Sequence, residues 1–325
     1  MRRRELLVSA AGLGLTGIGL PALAQGQAFP TKTVRIVVPA LVGSADVFAR
    51  AMAQRLAPAL GQSVIVEQKP GAGTNIGNDF VAKSAPDGHT LLINGLPLVT
   101  NQALYASLPY NTMRDLVPVI EVAEVTNVVT VHPALGINSL SELVQQARND
   151  PNKFNHGTPG AGSSGHLAAE LLSVKTGAKF THVPYQGNAQ ATNDHLGGTL
   201  QVGFVNLPVA MQFVKAGRLK ALAVTGSRRS ALLPDVPTVN EALGLKDFEA
   251  DQWYGVVAPA GTPADIVAKL NQAINAALNS AELKKRLGAE GAVANPTTPE
   301  AFGKYIASEI ERWKPVITSG RVKVD

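Results

Sequence analysis

VRIVVPALVGSADVFARAMAQRLAPALGQSVIVEQKPG, residues Val34 to Gly71, and FNHGTPGAGSSGHLAAELLSVKTGAKFTHVPYQG, residues Phe154 to Gly187, read as two copies of one unit. Each copy is a strand, a Gly/Ser-rich turn, an amphipathic helix, a Gly, and a second strand that runs to Pro and Gly. In each, the helix start leaves backbone N–H groups without intrahelical partners, beside residues small enough for a ligand to approach. Such a terminus attracts an anion. One terminus in each half of the chain predicts two lobes closing on one acidic ligand.

Outward from the repeat, strand-like runs alternate with helix-period runs, the pattern of α/β layers with parallel sheets. The strands expected are Val34–Val38, Val64–Glu67, Leu91–Asn94, Val128–Val131, Phe180–Val183, Leu200–Phe204, Leu219–Val224 and Tyr254–Ala258. Ser139-Leu140-Ser141-Glu142 reads as a capping box. Thr262-Pro263-Ala264-Asp265 and Thr298-Pro299-Glu300 each place an N-cap before Pro and an acid. In the last helix Phe302, Tyr305, Ile306, Ile310 and Trp313 share one face, with Pro315 as its expected stop. Gly197-Gly198 and Gly217 read as helix ends. At 325 residues the chain exceeds one ordinary core. Strand-like runs meet near Val125–Asn127, and a return crossing is expected near Ala250–Gln252. Residues 25–126 with 251–325 then form lobe 1, and residues 127–250 form lobe 2, with a hinge and a cleft between them.

Residues 1–24 read as an export signal rather than as part of the fold. Arg2, Arg3 and Arg4 precede an apolar stretch from Leu6 to Leu23, and Ala22-Leu23-Ala24 offers a small-x-small cleavage site. Arg3-Arg4-Glu5-Leu6-Leu7 leaves Sec and twin-arginine export both open. Removing this segment takes away three Arg and one Glu, so the formal charge falls from +5 to +3. That mild balance, with aromatics at only 5%, argues against a nucleic-acid partner. The chain has no Cys, which excludes disulfides, thiolate nucleophiles and Cys-ligated zinc.

The two turns carry the chemistry. In Ala40-Leu41-Val42-Gly43-Ser44-Ala45-Asp46, Ser44 or Asp46 can cap the following helix, and the turn also reads as an ordinary βα connection. Gly157-Thr158-Pro159-Gly160-Ala161-Gly162-Ser163-Ser164-Gly165 packs four Gly and three hydroxyls into nine residues, a nest of N–H donors. It nearly matches a P-loop, but Ser163 stands where Lys would reach the phosphates, which disfavours nucleotide hydrolysis and suits a smaller anion such as a carboxylate. Gly71-Ala72-Gly73-Thr74-Asn75-Ile76-Gly77 has the wrong spacing for a dinucleotide fingerprint. It reads as a loop into a helix, with Thr74 or Asn75 as cap. The six histidines, His89, His132, His156, His166, His182 and His195, form no close ligand pattern, so no metal is expected. His166, in a first helical turn, faces either the cleft or the core. No G-x-S-x-G elbow and no compelling carboxylate pair exists, so no catalytic residue and no cofactor is expected.

The ordered motifs resemble one family. They are Val37-Val38-Pro39 with Asp46 and Ala49-Arg50, Lys69-Pro70-Gly71-Ala72-Gly73 with Asn75-Ile76-Gly77, and Ala85 to Leu92 (APDGHTLL). They continue with Gly162-Ser163-Ser164-Gly165-His166-Leu167, His182-Val183-Pro184-Tyr185, and Asp194 with Gly197-Gly198. The last are Leu222 to Thr225 (LAVT), Leu233 to Thr238 (LPDVPT) and Ala258 to Pro263 (APAGTP). The chain resembles the substrate-binding proteins of tripartite tricarboxylate transporters, the Bug family of periplasmic solute receptors. The resemblance implies a two-lobed α/β periplasmic-binding-protein fold of the Venus-flytrap, type II-like kind, and non-catalytic capture of a small organic carboxylate in the periplasm. It implies membrane permease subunits as partners and a monomeric receptor.

Carried over, the ligand-binding residues are Leu41, Val42, Gly43, Ser44 and Asp46 on the first loop and Thr158, Gly160, Ala161, Gly162, Ser163 and Ser164 on the second. Tyr185, in the turn to Asn188, and Asn206 are further contacts. A sensing receptor for signalling and a secreted two-lobed hydrolase or isomerase are the competing readings. Two departures bear on specificity. The first loop is one residue shorter than the family form Pro-Phe-x-x-Gly-Gly-x-x-Asp, with one Gly and no aromatic, and Val205 stands where many members carry Asp. Both remove polar or aromatic groups, so the expected ligand is more apolar or larger than a simple dicarboxylate.

Overall fold

A computed structural model describes residues 29–41, 44–158, 160, 162–185 and 188–322. The export signal assigned to residues 1–24 lies outside these. Among the described residues, eleven strands form two sheets. The six-stranded sheet has the order β11-β4-β10-β3-β1-β2, built from β1 (Val34–Val38), β2 (Val64–Gln68), β3 (Thr90–Gly95), β4 (Leu116–Val125), β10 (Gln252–Pro259) and β11 (Val293–Ala294). The five-stranded sheet has the order β7-β6-β8-β5-β9, built from β5 (Asn127–Val131), β6 (Asn155–Thr158), β7 (Thr181–Pro184), β8 (Val202–Asn206) and β9 (Lys220–Val224).

The two copies of the repeated unit each supply a parallel pair, β1 with β2 and β6 with β7. The β-branched run of β1 is buried nearly throughout, as expected for a parallel strand covered on both faces. In the first sheet, α1 (Ser44–Leu60), α10 (Ala264–Leu278) and α11 (Ala281–Ala289) cover the face that carries Ile36, Leu91 and Val256. The opposite face is covered by α2 (Asn75–Ala82), α3 (Pro97–Leu104) and α12 (Pro299–Val316), with the short α4 (Thr112–Asp115) leading into β4. In the second sheet, α5 (Leu140–Asn149), α6 (Ser164–Thr176) and α9 (Val239–Leu243) bury Val129, Phe204 and Ala223. The other side carries α7 (Asn188–Leu196) and α8 (Leu207–Lys215). One hydrophobic cluster runs through both sheets, from Leu92, Trp253 and Phe302 to Phe154, Leu171 and Phe204. Helix α12 joins them, packing on β4, α3 and α6.

The chain passes between the sheets at Thr126 and returns before Gln252. Both crossings are fastened by Asp251, whose carboxylate accepts from Thr126 Oγ1 at 2.6 Å and Thr225 Oγ1 at 2.8 Å. Burial pushes the Asp251 carboxyl up to about 7, against those two hydrogen bonds. Strand β4, ten residues long, pairs antiparallel with β10 and bulges at Val122. The bulge breaks the two-residue alternation and turns Glu121 and Glu124 toward each other. Burial, then the neighbouring Glu124 charge, raises the Glu121 carboxyl.

Several local expectations need correction. The helix expected at Thr262 begins at Ala264 with Pro263 as N-cap, because Thr262 Oγ1 is spent on the Pro259 carbonyl at 2.8 Å. Ser139 caps α5 through the Glu142 N–H, but the Glu142 carboxylate takes the Asn138 N–H instead of closing the box on Ser139. A complete capping box occurs at Thr238 and Glu241. Pro315 does not stop α12. The helix runs through it to Val316 and continues as a wide turn over Ile317–Arg321, keeping Trp313 and Val316 buried. A wider turn tolerates the hydrogen bond that Pro removes. Among the described residues, no helix is long and apolar enough to cross a membrane.

Candidate functional site

In open α/β sheets, ligands collect beyond the carboxyl ends of the parallel strands. Here those ends are Val38, Gly95, Thr158 and Asn206, and both crossings lie at the same end. Of the first loop, Leu41 is 63% exposed, an unusual position for a large apolar side chain, and its carbonyl accepts from Gln68 Nε2 at 2.6 Å. Val42 and Gly43 lie outside the described residues. Helix α1 already starts at Ser44, so Ser44 is not its N-cap, and its hydroxyl donates to Glu290 Oε2 at 3.3 Å. Asp46 does not cap either. Its carboxylate takes Arg50 Nε at 2.7 Å and Gln68 Nε2 at 3.0 Å. The Arg50 bond holds the Asp46 carboxyl below its ordinary range, with burial opposing.

The second loop is built differently. Thr158 ends β6, and its Oγ1 donates to the Gly160 carbonyl at 3.0 Å. Ser163 Oγ donates to the same carbonyl at 2.8 Å. Ser163 is therefore N-cap of α6 without a side-chain capping bond, and no acidic residue stands in the first turn. The helix start is left to its backbone donors. Gly160 and Gly162 have φ of 137° and 76°, a region open mainly to glycine. Ala161 lies outside the described residues. The loop meets the first sheet's helices at Gly162, where an added Cβ would lie 3.2 Å from Leu104 Cδ1. Tyr185 is close by in sequence to α7, but its hydroxyl donates to Asp194 Oδ2 at 2.6 Å.

Asn127, absent from the expected set, ties the site together. Its side chain donates to the Ala250 carbonyl at 2.9 Å and accepts from Asn206 Nδ2 at 2.9 Å and Ser164 Oγ at 3.5 Å. Its backbone N–H donates to Thr225 Oγ1 at 3.1 Å. One amide thus joins both crossings, the end of β8 and the start of α6. A cavity of about 40 Å³, enough for a water molecule, opens between Asn127, Ser163, Ser164, Gly165 and Asn206. A lone Asn after a strand carries no sequence signal for this role. On the neighbouring loop, Gly71, Ala72, Gly73 and Thr74 all have positive φ. Thr74 makes no side-chain cap bond. Asn75 is buried in an amide network with Asn101 at 2.8 Å and Tyr110 at 2.8 Å, which holds the turn.

Beneath the second loop lie three histidines. The β6–β7 register sets His156 opposite His182. His166 stacks on His182 with ring centroids 3.7 Å apart and is buried, so it serves the core side rather than the cleft. His166 Nδ1 accepts the Gly162 N–H at 3.2 Å, and His182 Nε2 is 2.6 Å from Thr158 Oγ1. Burial, then the His182 charge, lowers His166 to about 4, and burial first also lowers His156 and His182. The unfolded chain therefore binds more protons below the ordinary value of 6.5 than the folded one. This set stabilises the fold above that pH, and the contribution is lost as pH falls from 6.5 toward 4. The raised carboxyls Glu121 and Asp251 act in the opposite direction, so a variant isolates the histidines. His156→Leu, which removes a fully buried ring with no hydrogen-bond partner, should flatten the acid-side fall in melting temperature. An acid limb identical to that of the parent protein would contradict this. Among the described residues no group of three or more His, Cys, Asp or Glu is arranged to hold a metal ion.

The profile of the tripartite tricarboxylate transporter family receptor, TctC, matches residues 48–321. Protein BugT of Bordetella pertussis is 37% identical over 321 residues, covering 98% of each chain. The structure of R. palustris Rpa4515 with adipate superposes with a TM-score of 0.75 at 34% identity, over 91% of this chain and 99% of that one. MatC from Rhodopseudomonas palustris with bound malate gives 0.73 at 32% identity, over 89% and 100%. The two-sheet architecture, the linked crossings and these matches along nearly the whole sequence agree: the chain belongs to the TctC receptor family of tripartite tricarboxylate transporters, with the two-lobed α/β periplasmic-binding fold of the Bug proteins.

Proposed function

We propose that this chain is an exported periplasmic receptor that captures a small organic carboxylate and delivers it to membrane permease subunits. The start of α6 carries the reading. It is a helix terminus with two hydroxyl residues, no acid in its first turn and no side chain spent on capping it. Relatives with the same fold hold adipate and malate. Residues 25–126 with 251–325 and residues 127–250 act as the two lobes, a division supported by the membership of the two sheets. The receptor works as a monomer after removal of residues 1–24.

A helix terminus contributes about 0.3–1 kcal/mol, or about 2 when partly buried. Micromolar capture needs about 8 kcal/mol. Burial in the cleft and further hydrogen bonds, including those of Ser164 and the Asn127–Asn206 pair, supply the remainder. The exposed Leu41 supports a ligand with an apolar portion. Closure follows population shift, the ligand favouring the closed lobes. Titration calorimetry against a carboxylate panel, with small-angle scattering of the same samples, tests this. Binding with a smaller radius of gyration is expected. An unchanged radius at saturation would count against closure, and no binding by any carboxylate would count against the receptor reading.

A further inference from the structure

The two crossings between the sheets meet on one carboxyl group. Asp251 is 7% exposed, and its Oδ2 takes the Thr126 hydroxyl at 2.6 Å. Its Oδ1 lies 2.8 Å from Thr225 Oγ1. That hydroxyl accepts the Asn127 N–H at 3.1 Å and has the Asn127 carbonyl 3.1 Å away. It owns one proton and faces two acceptors, so it can serve only one of them. A neutral Asp251 resolves the count. Its Oδ1–H donates to Thr225 Oγ1, whose own proton goes to the Asn127 carbonyl, and every group in this chain of bonds is satisfied. An ionised Asp251 is held by two hydroxyls, and the nearby charges of Glu124 and Glu249 are both negative. Gly226 packs against it, where an added Cβ would lie 2.6 Å from Oδ2, which leaves no room there for another donor. A carboxylate so placed is costly. Burial first, with those two charges and against the two hydroxyl bonds, pushes the Asp251 carboxyl from its ordinary 3.8 up to about 7.

Asp251 and Thr126 also line a cavity of about 510 Å³. Its other walls include Glu124 and Val293 from the first sheet's side and Leu207 and Arg228 from the second's. Val293 is 58% exposed, so the cavity rim meets solvent. The cavity straddles the seam, and rotation of one lobe on the other changes how much water reaches Asp251. The remaining charged groups around it have their own partners. Glu124 takes Asn295 Nδ2 at 2.9 Å, Arg229 takes Glu241 at 2.8 Å, and Arg312 takes Glu249 at 3.1 Å. Arg228 is exposed and acts on Glu124, Glu121 is buried behind Glu124 on β4, and Glu290 is turned to Ser44.

We propose that Asp251 carries a proton in the folded protein and that this proton holds the two crossings together, so that its loss frees the lobes to move. The inference rests on the two-lobe division and needs no ligand. With the proton in place, Asp251, Thr225 and Asn127 form one relay across both crossings. Without it, the Thr225 hydroxyl turns back to Oδ1 and a buried carboxylate remains, which favours arrangements that admit water. A ligand that shifts the lobes then shifts the proton as well, because coupling between two binding events is reciprocal. The sign follows from the raised value. Stabilisation by the neutral group is complete below 3.8 and is lost as pH rises through about 7.

Carbon-13 NMR of the full mature chain reads the Asp251 carboxyl directly, and it should titrate near neutral pH. Asp251→Asn places an amide where the acid proton was, donating to Thr225 and accepting from Thr126. It should melt at the parent's temperature at about pH 5.5 and above it at about pH 8.5. The chain has no Cys, so spin labels on Gln54→Cys and Lys215→Cys, exposed on α1 and α8, report one lobe-to-lobe distance. Pulsed electron resonance should give a broader distance distribution at the higher pH in the parent background, and equal distributions in Asp251→Asn. An Asp251 carboxyl that titrates below about pH 5 would overturn the inference. So would a melting difference that does not change with pH, or parent distance distributions that are equal at both. The receptor reading survives each of these results, since carboxylate binding alone decides it.

Discussion

Replacing Gly165 with alanine should weaken carboxylate binding by at least about tenfold, or about 1.4 kcal/mol, and lower stability by about 1–3 kcal/mol. Gly165 is the second residue of α6, and its missing Cβ would lie 2.3 Å from the Phe204 carbonyl oxygen. That oxygen cannot retreat, because β8 is hydrogen-bonded to β5 on one side and β6 on the other. The helix start must move instead, carrying its N–H donors and Ser164 away from the Asn127–Asn206 pair. Gly288→Ala adds the same methyl inside α11, where an added Cβ meets nothing within 4 Å. It should raise stability by about 0.4–1 kcal/mol by narrowing the unfolded ensemble. Calorimetry and thermal melts of the two variants separate the effects. An unchanged Kd in Gly165→Ala would show that the α6 terminus is not where the carboxylate binds.

Glu309→Ala should be strongly destabilising, costing about 3–5 kcal/mol. The side chain is 1% exposed on α12. Its Oε2 accepts from Trp253 Nε1 at 2.9 Å and from Trp313 Nε1 at 3.0 Å, while Oε1 pairs with Arg312. Arg312 also reaches Glu249 at 3.1 Å, on the segment that returns from the second sheet to β10. Alanine leaves two buried indole N–H groups unpaired, each costing about 1–3 kcal/mol, and a void between β10 and α12. Glu309→Gln keeps one acceptor and should cost clearly less. Denaturant unfolding measures both, and an alanine variant within about 1 kcal/mol of the parent would contradict this account of the joint.

The repeat made much of the fold legible. β1 and β2, like β6 and β7, are local parallel pairs around one helix, and their apolar runs and glycine punctuation announce them. The antiparallel pairing of β4 with β10 was less legible, because partners more than a hundred residues apart and a bulge at Val122 are set by tertiary packing. The same limit governs the site. The loops after β1 and β6 stand out through composition. Asn127 and Glu290 do not, since each matters through partners distant in sequence: Ala250 and Asn206 for one, Ser44 for the other. The histidines carried no close spacing, yet strand register and one helix start gather three of them under the second loop, two of them stacked. The first loop's lost glycine and aromatic were visible in the sequence. The Glu290 carboxylate beside Ser44, at the start of α1, became visible only in the fold.

The most direct measurement is a crystal structure of the mature chain saturated with the tightest-binding acid from the calorimetric panel. The ligand carboxylate is expected at the start of α6, within hydrogen-bond distance of the backbone N–H groups there and of Ser163 or Ser164. Density for the carboxylate elsewhere in the cleft, or on the start of α1 beside Glu290, would contradict it.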